Sequence, residues 1–295
     1  MKVYLAGAVS GNLTAHFREN PNGFLNIIMK IYLAGTRSRP YVFDYAITSG
    51  GTLAMVLSSE YSYRGGILSE KASTINVLES FYTVDACLTK LIPQFNSFML
   101  DSGAFSLFSG KKRIKVDEYI NRYIEYINAN DVKLFFELDI DKIIGYDKVK
   151  EIRRRLERET GKCPIPVWHK HLGKAEFLRM CDEYDYVAIG GIVSKEISIT
   201  EYKYLPYFIN EAHKRGAKIH GLGFTNMKWL PICHFDSVDS TSWTIGNRFG
   251  YIWKFDGRTM IKISRPPNTR VKNIETALNN FVEWLKFADY AERNL

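Results

Sequence analysis

Cysteine is scarce in this 295-residue chain, and the four present, Cys87, Cys163, Cys181 and Cys233, stand far apart without forming a Cys-x-x-Cys pair. That spacing excludes a disulfide-stapled framework and a zinc knuckle, and a reducing cytoplasm is the expected setting. Also missing is any run approaching the ~20 consecutive apolar residues that cross a bilayer, and the N-terminus lacks the continuous apolar core of a signal peptide. No membrane partner is expected. Charge of one sign is in short supply: 32 Asp and Glu face 40 Lys and Arg, a formal +8 with a pI near 9.1. Such a field favours polyanions by counterion release and steering, although a solvated basic surface has the same composition.

What is present suits one globular unit. Hydrophobic residues make up 46% and charged residues 24%, with 18 Tyr and 18 Phe, so core material is ample and disorder has no compositional support. A chain of this length is at the upper end of what one core organises, and a (β/α)8 barrel takes about 250 residues.

Met1 to Gly7 (MKVYLAG) recurs as Met29 to Gly35 (MKIYLAG), each copy a short strand ending in a glycine turn. The linker between them is rich in turn residues, so residues 1–28 read as an N-terminal extension and 29–295 as the barrel domain. From Met29 on, short apolar runs alternate with amphipathic helical stretches, the pattern of repeated βα units around a parallel sheet. Eight strands are expected: Ile31 to Ala34, Leu53 to Ser58, Phe98 to Asp101, Leu134 to Asp139, Pro166 to His169, Tyr186 to Gly190, Lys218 to Gly223 and Phe235 to Asp239. Helices are expected at Val116 to Asn128, Lys148 to Glu159, Ala175 to Glu183, Glu201 to Arg215 and Ile274 to Arg293. Tyr251 to Ile263 reads as a hairpin turned at Asp256-Gly257. Arg153, Arg154, Arg155 and Arg158 alternate with glutamates and read as an exposed helix face.

In such a barrel the active site gathers at the C-terminal strand ends. Asp101 with Ser102 and Gly103 ends the third strand, Asp139 and Asp141 the fourth, His169 the fifth, Gly190 and Gly191 the sixth, Gly221 and Gly223 the seventh, and Asp236 and Asp239 the eighth. Singly, a strand-end Asp caps a helix or closes a turn. Converging on one mouth, these acids suit two-carboxylate chemistry at a sugar C1′, and paired glycines let backbone approach a flat ligand.

Asp-Ser-Gly-Ala-Phe at 101–105, Ile-Gly-Gly-Ile at 189–192 and Gly-Leu-Gly at 221–223 resemble, in order and spacing, the queuine/archaeosine tRNA-guanine transglycosylases. The compact length and Ser-Val-Asp-Ser-Thr-Ser-Trp at 237–243 are more similar to the phage and bacterial DNA relatives that insert 7-deazaguanines, the DpdA family. The resemblance covers Ile31 to Trp243. It implies exchange of guanine for a 7-deazaguanine, such as 7-cyano-7-deazaguanine, without strand cleavage and through a covalent aspartyl-sugar intermediate.

By the resemblance, Asp101 is the general acid/base, with Ser102 and Gly103 alongside, and Asp139 recognises the base, with Asp141 as fallback. Gly190 and Gly191 match the glycines that border the purine, Gly221 and Gly223 match the seventh-strand turn of the binding site, and His169 stands where the tRNA enzymes carry glutamine. Two residues compete as nucleophile. A Phe-Asp-Cys pattern favours Asp236, while distance from the seventh-strand glycines favours Asp239, the preferred choice. Lys111, Lys112, Arg113, Trp243 and Arg248 are the candidate nucleic-acid contacts, Trp243 by stacking on an opened strand.

No cofactor and no metal are expected. The tRNA enzymes carry a Cys-x-Cys-x2-Cys plus His zinc site after the barrel, whereas this chain has no Cys beyond Cys233 and no His beyond His234. DNA is thereby the preferred polymer, its target base extruded from the duplex, in a phage enzyme working in host cytoplasm to shield DNA from restriction. A homodimer is compatible with this reading. The alternatives are a tRNA-guanine transglycosylase, a non-catalytic nucleic-acid-binding barrel, and a hydrolase of small nucleosides.

Overall fold

The computed structural model describes residues 28–36, 45–47, 53–55, 75–104, 115–264, 266 and 273–295. Eight short strands run parallel in one sheet: β1 (Lys30–Ala34), β4 (Asn76–Ser80), β5 (Ser97–Asp101), β6 (Leu134–Phe135), β7 (Val167–Trp168), β8 (Tyr186–Ile189), β9 (Lys218–Gly221) and β10 (Ser237–Ser240). Their spatial order is β6-β5-β4-β1-β10-β9-β8-β7. The sheet is curled, and outside the strands one isolated parallel bridge links Phe136, after β6, to Ile165, before β7, where Ile165 N donates to Phe135 O at 2.8 Å.

Helices alternate with these strands: α1 (Ala86–Leu91), α2 (Val116–Ala129), α3 (Asp141–Ile144), α4 (Tyr146–Thr160), α5 (Gly173–Glu183), α6 (Leu205–His213), α7 (Leu230–Cys233), α8 (Ser242–Phe249) and α9 (Asn273–Asn294). Helical spacing puts Tyr119, Ile120, Tyr123, Ile124 and Ile127 of α2 on one buried face. At its end α4 stops on Gly161, whose left-handed φ of 67° lets its N–H reach Glu157 O. One apolar layer lies between sheet and helices. A second, smaller one, built from Tyr32, Leu78, Met99, Phe136, Ile165, Val167 and Ala188, fills the concave side. Each such buried side chain contributes about 1.5–3 kcal/mol. No helix among the described residues is long and apolar enough to cross a membrane.

Three expectations need correction. Leu53 to Ser58 is not the second sheet strand: Leu53–Met55 forms β3, paired antiparallel with β2 (Tyr45–Ile47), and Asn76–Ser80 takes the place beside β1. Asn76 and Glu79 are polar yet buried, which broke the apolar run that marks a strand. Arg153 is not on an exposed face, since it is 2% exposed and paired with buried Glu137. Trp243 is fully buried, donates Nε1–H to Ala34 O at 2.9 Å and packs edge-on to Phe281, so it cannot stack on an opened strand.

The second repeat copy supplies β1, as expected, while residues 1–27 and the extension reading lie outside the described residues. The hairpin is β11 (Tyr251–Phe255) with β12 (Met260–Ser264), turned where Asp256 Oδ1 accepts the N–H groups of Arg258 and Thr259. It lies on α9, with Trp253 against Trp284 and Phe255 against Phe287 and Tyr290.

Candidate functional site

Because all eight strands are parallel, their C-terminal ends share one rim. Asp101 closes β5 in register with Ser80 of β4, and Asp239 lies near the end of β10 in register with Tyr32. Asp139, His169 and Gly190 follow β6, β7 and β8.

Asp101 Oδ2 accepts the Gly103 N–H at 3.1 Å. Gly103 has φ 65°, and a Cβ there would stand 2.2 Å from Ser80 Oγ, so glycine is required for this turn. Buried Ser102 is held through its carbonyl by the Tyr119 hydroxyl at 2.5 Å. Burial raises the Asp101 pKa; the Gly103 hydrogen bond opposes this, and the Asp139 and Asp239 charges add to it, leaving about 6. The three carboxylates thus feel one another's charge from the same rim of the sheet.

Asp239 is buried, and its Oδ1 accepts the Gly223 N–H at 2.6 Å and lies 3.4 Å from His220 Nε2. The φ of 67° at Gly223 turns the chain so that this N–H reaches the carboxylate. Behind it, fully buried His220 places Nδ1 2.5 Å from Ser237 Oγ, which contacts the Tyr186 hydroxyl at the same distance. A polar chain thus runs through the concave core to Asp239.

Asp236 belongs elsewhere. It precedes β10, beside the residues that start β1 and β9, and its Oδ2 accepts from the Ile219 N–H at 2.7 Å and sits 2.9 Å from His213 Nε2 at the end of α6. It is at the opposite rim from Asp239 and is removed from the candidate catalytic set.

On the β6–β7 side, His169 Nε2 is 2.7 Å from Asp139 Oδ1 and its Nδ1 is 3.3 Å from Glu196 Oε2. Burial disfavours charge on this ring, but the Asp139 hydrogen bond and the surrounding carboxylates outweigh it and raise the pKa to about 9. Glu196 also accepts from Lys142 Nζ at 2.7 Å and the His171 N–H at 3.3 Å; these contacts outweigh the upward push of burial and hold its pKa near 2. Below Asp139, Glu137 takes Arg153 Nε at 2.6 Å and the Val167 N–H at 2.6 Å, bracing β6 against α4 and β7.

The glycines divide. A Cβ on Gly190 would sit 2.8 Å from His169 Cε1 and 2.9 Å from Val167 Cγ1, so this glycine lets those two side chains pack against the end of β8. Gly191 turns beside Glu196, and Gly223 passes close to Val193. Gly221 backs onto Phe224 and Phe235 of the outer layer, so its missing side chain serves packing behind the sheet rather than the mouth. Lys111, Lys112, Arg113 and the Arg248 side chain lie outside the described residues. His220, His171 and Glu196 were not among the expected site residues. The His-x-His spacing of 169 and 171 was a usable signal, whereas nothing local marks Glu196.

No known family matches the sequence, and no curated protein does. Among solved structures the fold is similar to the carboxyl transferase domain of Rhizobium etli pyruvate carboxylase with 3-bromopyruvate, at 11% identity and a TM-score of 0.42 over 90% of this chain. The same domain with 3-hydroxypyruvate gives 10% identity and a TM-score of 0.45 over 99%. This chain spans about half the length of those structures, 47% and 51% respectively.

Proposed function

We propose that the chain is a closed (β/α)8 barrel acting as a DNA-guanine transglycosylase, which replaces guanine in DNA with a 7-deazaguanine through an aspartyl-deoxyribose intermediate. The observation that carries this reading is the pairing of two unlike carboxyl groups at one rim. Asp101 has a pKa raised to about 6, and Asp239 is fixed by the Gly223 N–H. An acid that holds its proton more tightly than an ordinary carboxyl, on the same rim as a second, fixed carboxyl group, suits a retaining exchange at C1′. The Phe136–Ile165 bridge between the end strands supports barrel closure.

In the proposed cycle the Asp239 carboxylate bonds to C1′ as the C1′–N9 bond breaks, and guanine leaves carrying the proton given up by Asp101. The incoming deazaguanine then surrenders its N9 proton to the Asp101 carboxylate as N9 bonds to C1′ and expels Asp239. Protons and bonds balance, and no strand is cut. Asp139 would accept hydrogen bonds from the guanine-like edge. Exposed Phe249, at 68%, is available to an extruded strand where Trp243 is not.

Incubation with labelled guanine and either duplex DNA or tRNA tests the reading. Label entering DNA, with deazaguanine chasing it out, is the expected result. Label entering tRNA alone would transfer the same chemistry to the other polymer, and release of free base without incorporation would make the protein a hydrolase.

A further inference from the structure

We propose that Asp139, Asp141 and His169 form a divalent-cation site that ties the end of β6 to the end of β7. One ligand atom from each lies within 4.8 Å of the other two. The Asp141 side chain is only 8% exposed; its Oδ1 accepts the Lys142 N–H at 2.8 Å, while Oδ2 is buried without an aligned donor although His171 Nε2 is 2.6 Å away. A cation would give this buried oxygen a second partner beside His171.

Glu196 supplies a second, independent indication. Its two oxygens lie 3.3 Å from His169 Nδ1 and 3.1 Å from His171 Nδ1, so one carboxylate turns both rings to present Nε2 towards Asp139 and Asp141. A carboxylate behind the far nitrogen of an imidazole is the usual support of a metal-binding histidine. Charge fits too. Three carboxylates, Asp139, Asp141 and Glu196, face a single ammonium, Lys142, 2.7 Å from Glu196. Lys170 is committed to Glu201. Two carboxylate oxygens and one imidazole nitrogen suit Mn²⁺ or Zn²⁺.

The position gives the ion work to do. Strands β6 and β7 have two residues each, and one isolated backbone bridge and the Glu137–Val167 hydrogen bond join them. A cation at its rim cross-links the two strand ends while leaving one Asp139 oxygen for a ligand.

The test is Mn²⁺ binding to the chelator-treated full chain, read by calorimetry and electron paramagnetic resonance without nucleic acid, so that it stands apart from the exchange reaction. One Mn²⁺ per chain, displaced by Zn²⁺ and raising the unfolding temperature, is expected. H169A and D141N should abolish this uptake, and E196Q should weaken it about 10–100-fold. Circular dichroism reports folding; if H169A does not fold, the near-isosteric D141N and E196Q decide. Absence of stoichiometric uptake by the wild type, or uptake unchanged in D141N and E196Q, would overturn the proposal.

Discussion

Asp236 and His213 are joined at 2.9 Å on the N-terminal rim of the sheet, three residues and one strand length away from Asp239 on the other. The two aspartates of Phe-Asp-Ser-Val-Asp thus have different tasks. Asp239→Asn is expected to reduce base exchange by at least about 10³-fold, the scale of losing a covalent nucleophile. Asp236→Asn should retain exchange and lower the unfolding temperature through the Ile219 and His213 contacts. A rate loss in D236N matching that of D239N would reverse the assignment.

The raised pKa of Asp101, about 6, has a defined sign. The folded state holds this proton more tightly than the unfolded chain, so stability falls as pH rises from about 4 through 6. Asp101→Asn, which cannot ionise, should flatten that slope and gain on the order of 1–2 kcal/mol at pH 7 while losing exchange. Urea unfolding of both proteins from pH 4 to 8 checks it. Equal slopes would show that Asp101 is not perturbed.

Glu137 and Arg153 form a pair with 2% exposure on each side chain. Arg153→Ala leaves a buried carboxylate without its cation and should cost about 3–5 kcal/mol, seen as a fall in the denaturation midpoint. Arg154→Ala on the exposed face is the control and should change stability by less than about 0.5 kcal/mol.

Trp243→Ala removes a fully buried ring and its hydrogen bond to Ala34. A loss of about 3–5 kcal/mol is expected, with the salt dependence of DNA binding unchanged in the folded fraction. A reduced salt slope at wild-type stability would restore Trp243 to the nucleic-acid surface.

The strand-end acids were legible because Asp101, Asp139 and Asp239 each terminate an apolar run, and parallel strands must bring such ends together. The choice between Asp236 and Asp239 was not, since it depends on where β10 begins, and a shift of three residues moves an aspartate from one rim to the other. β4 escaped notice because Asn76 and Glu79 interrupt its apolar pattern for reasons visible only in three dimensions, Glu79 accepting from Thr36 and Thr83 across the rim. The role of Glu196 between two histidines follows from loop geometry that no periodicity encodes. Trp243 misled in the other direction: an aromatic beside a catalytic motif reads as a stacking surface, and α9 covers it.

Trapping the intermediate tests the central claim most directly. A guanine-containing DNA duplex is mixed with the protein, quenched under denaturing conditions and digested for mass spectrometry. The account predicts a DNA adduct on the peptide containing Asp239, present in wild type and D236N and absent in D239N. Exchange without an adduct, or an adduct on any other residue, would contradict it.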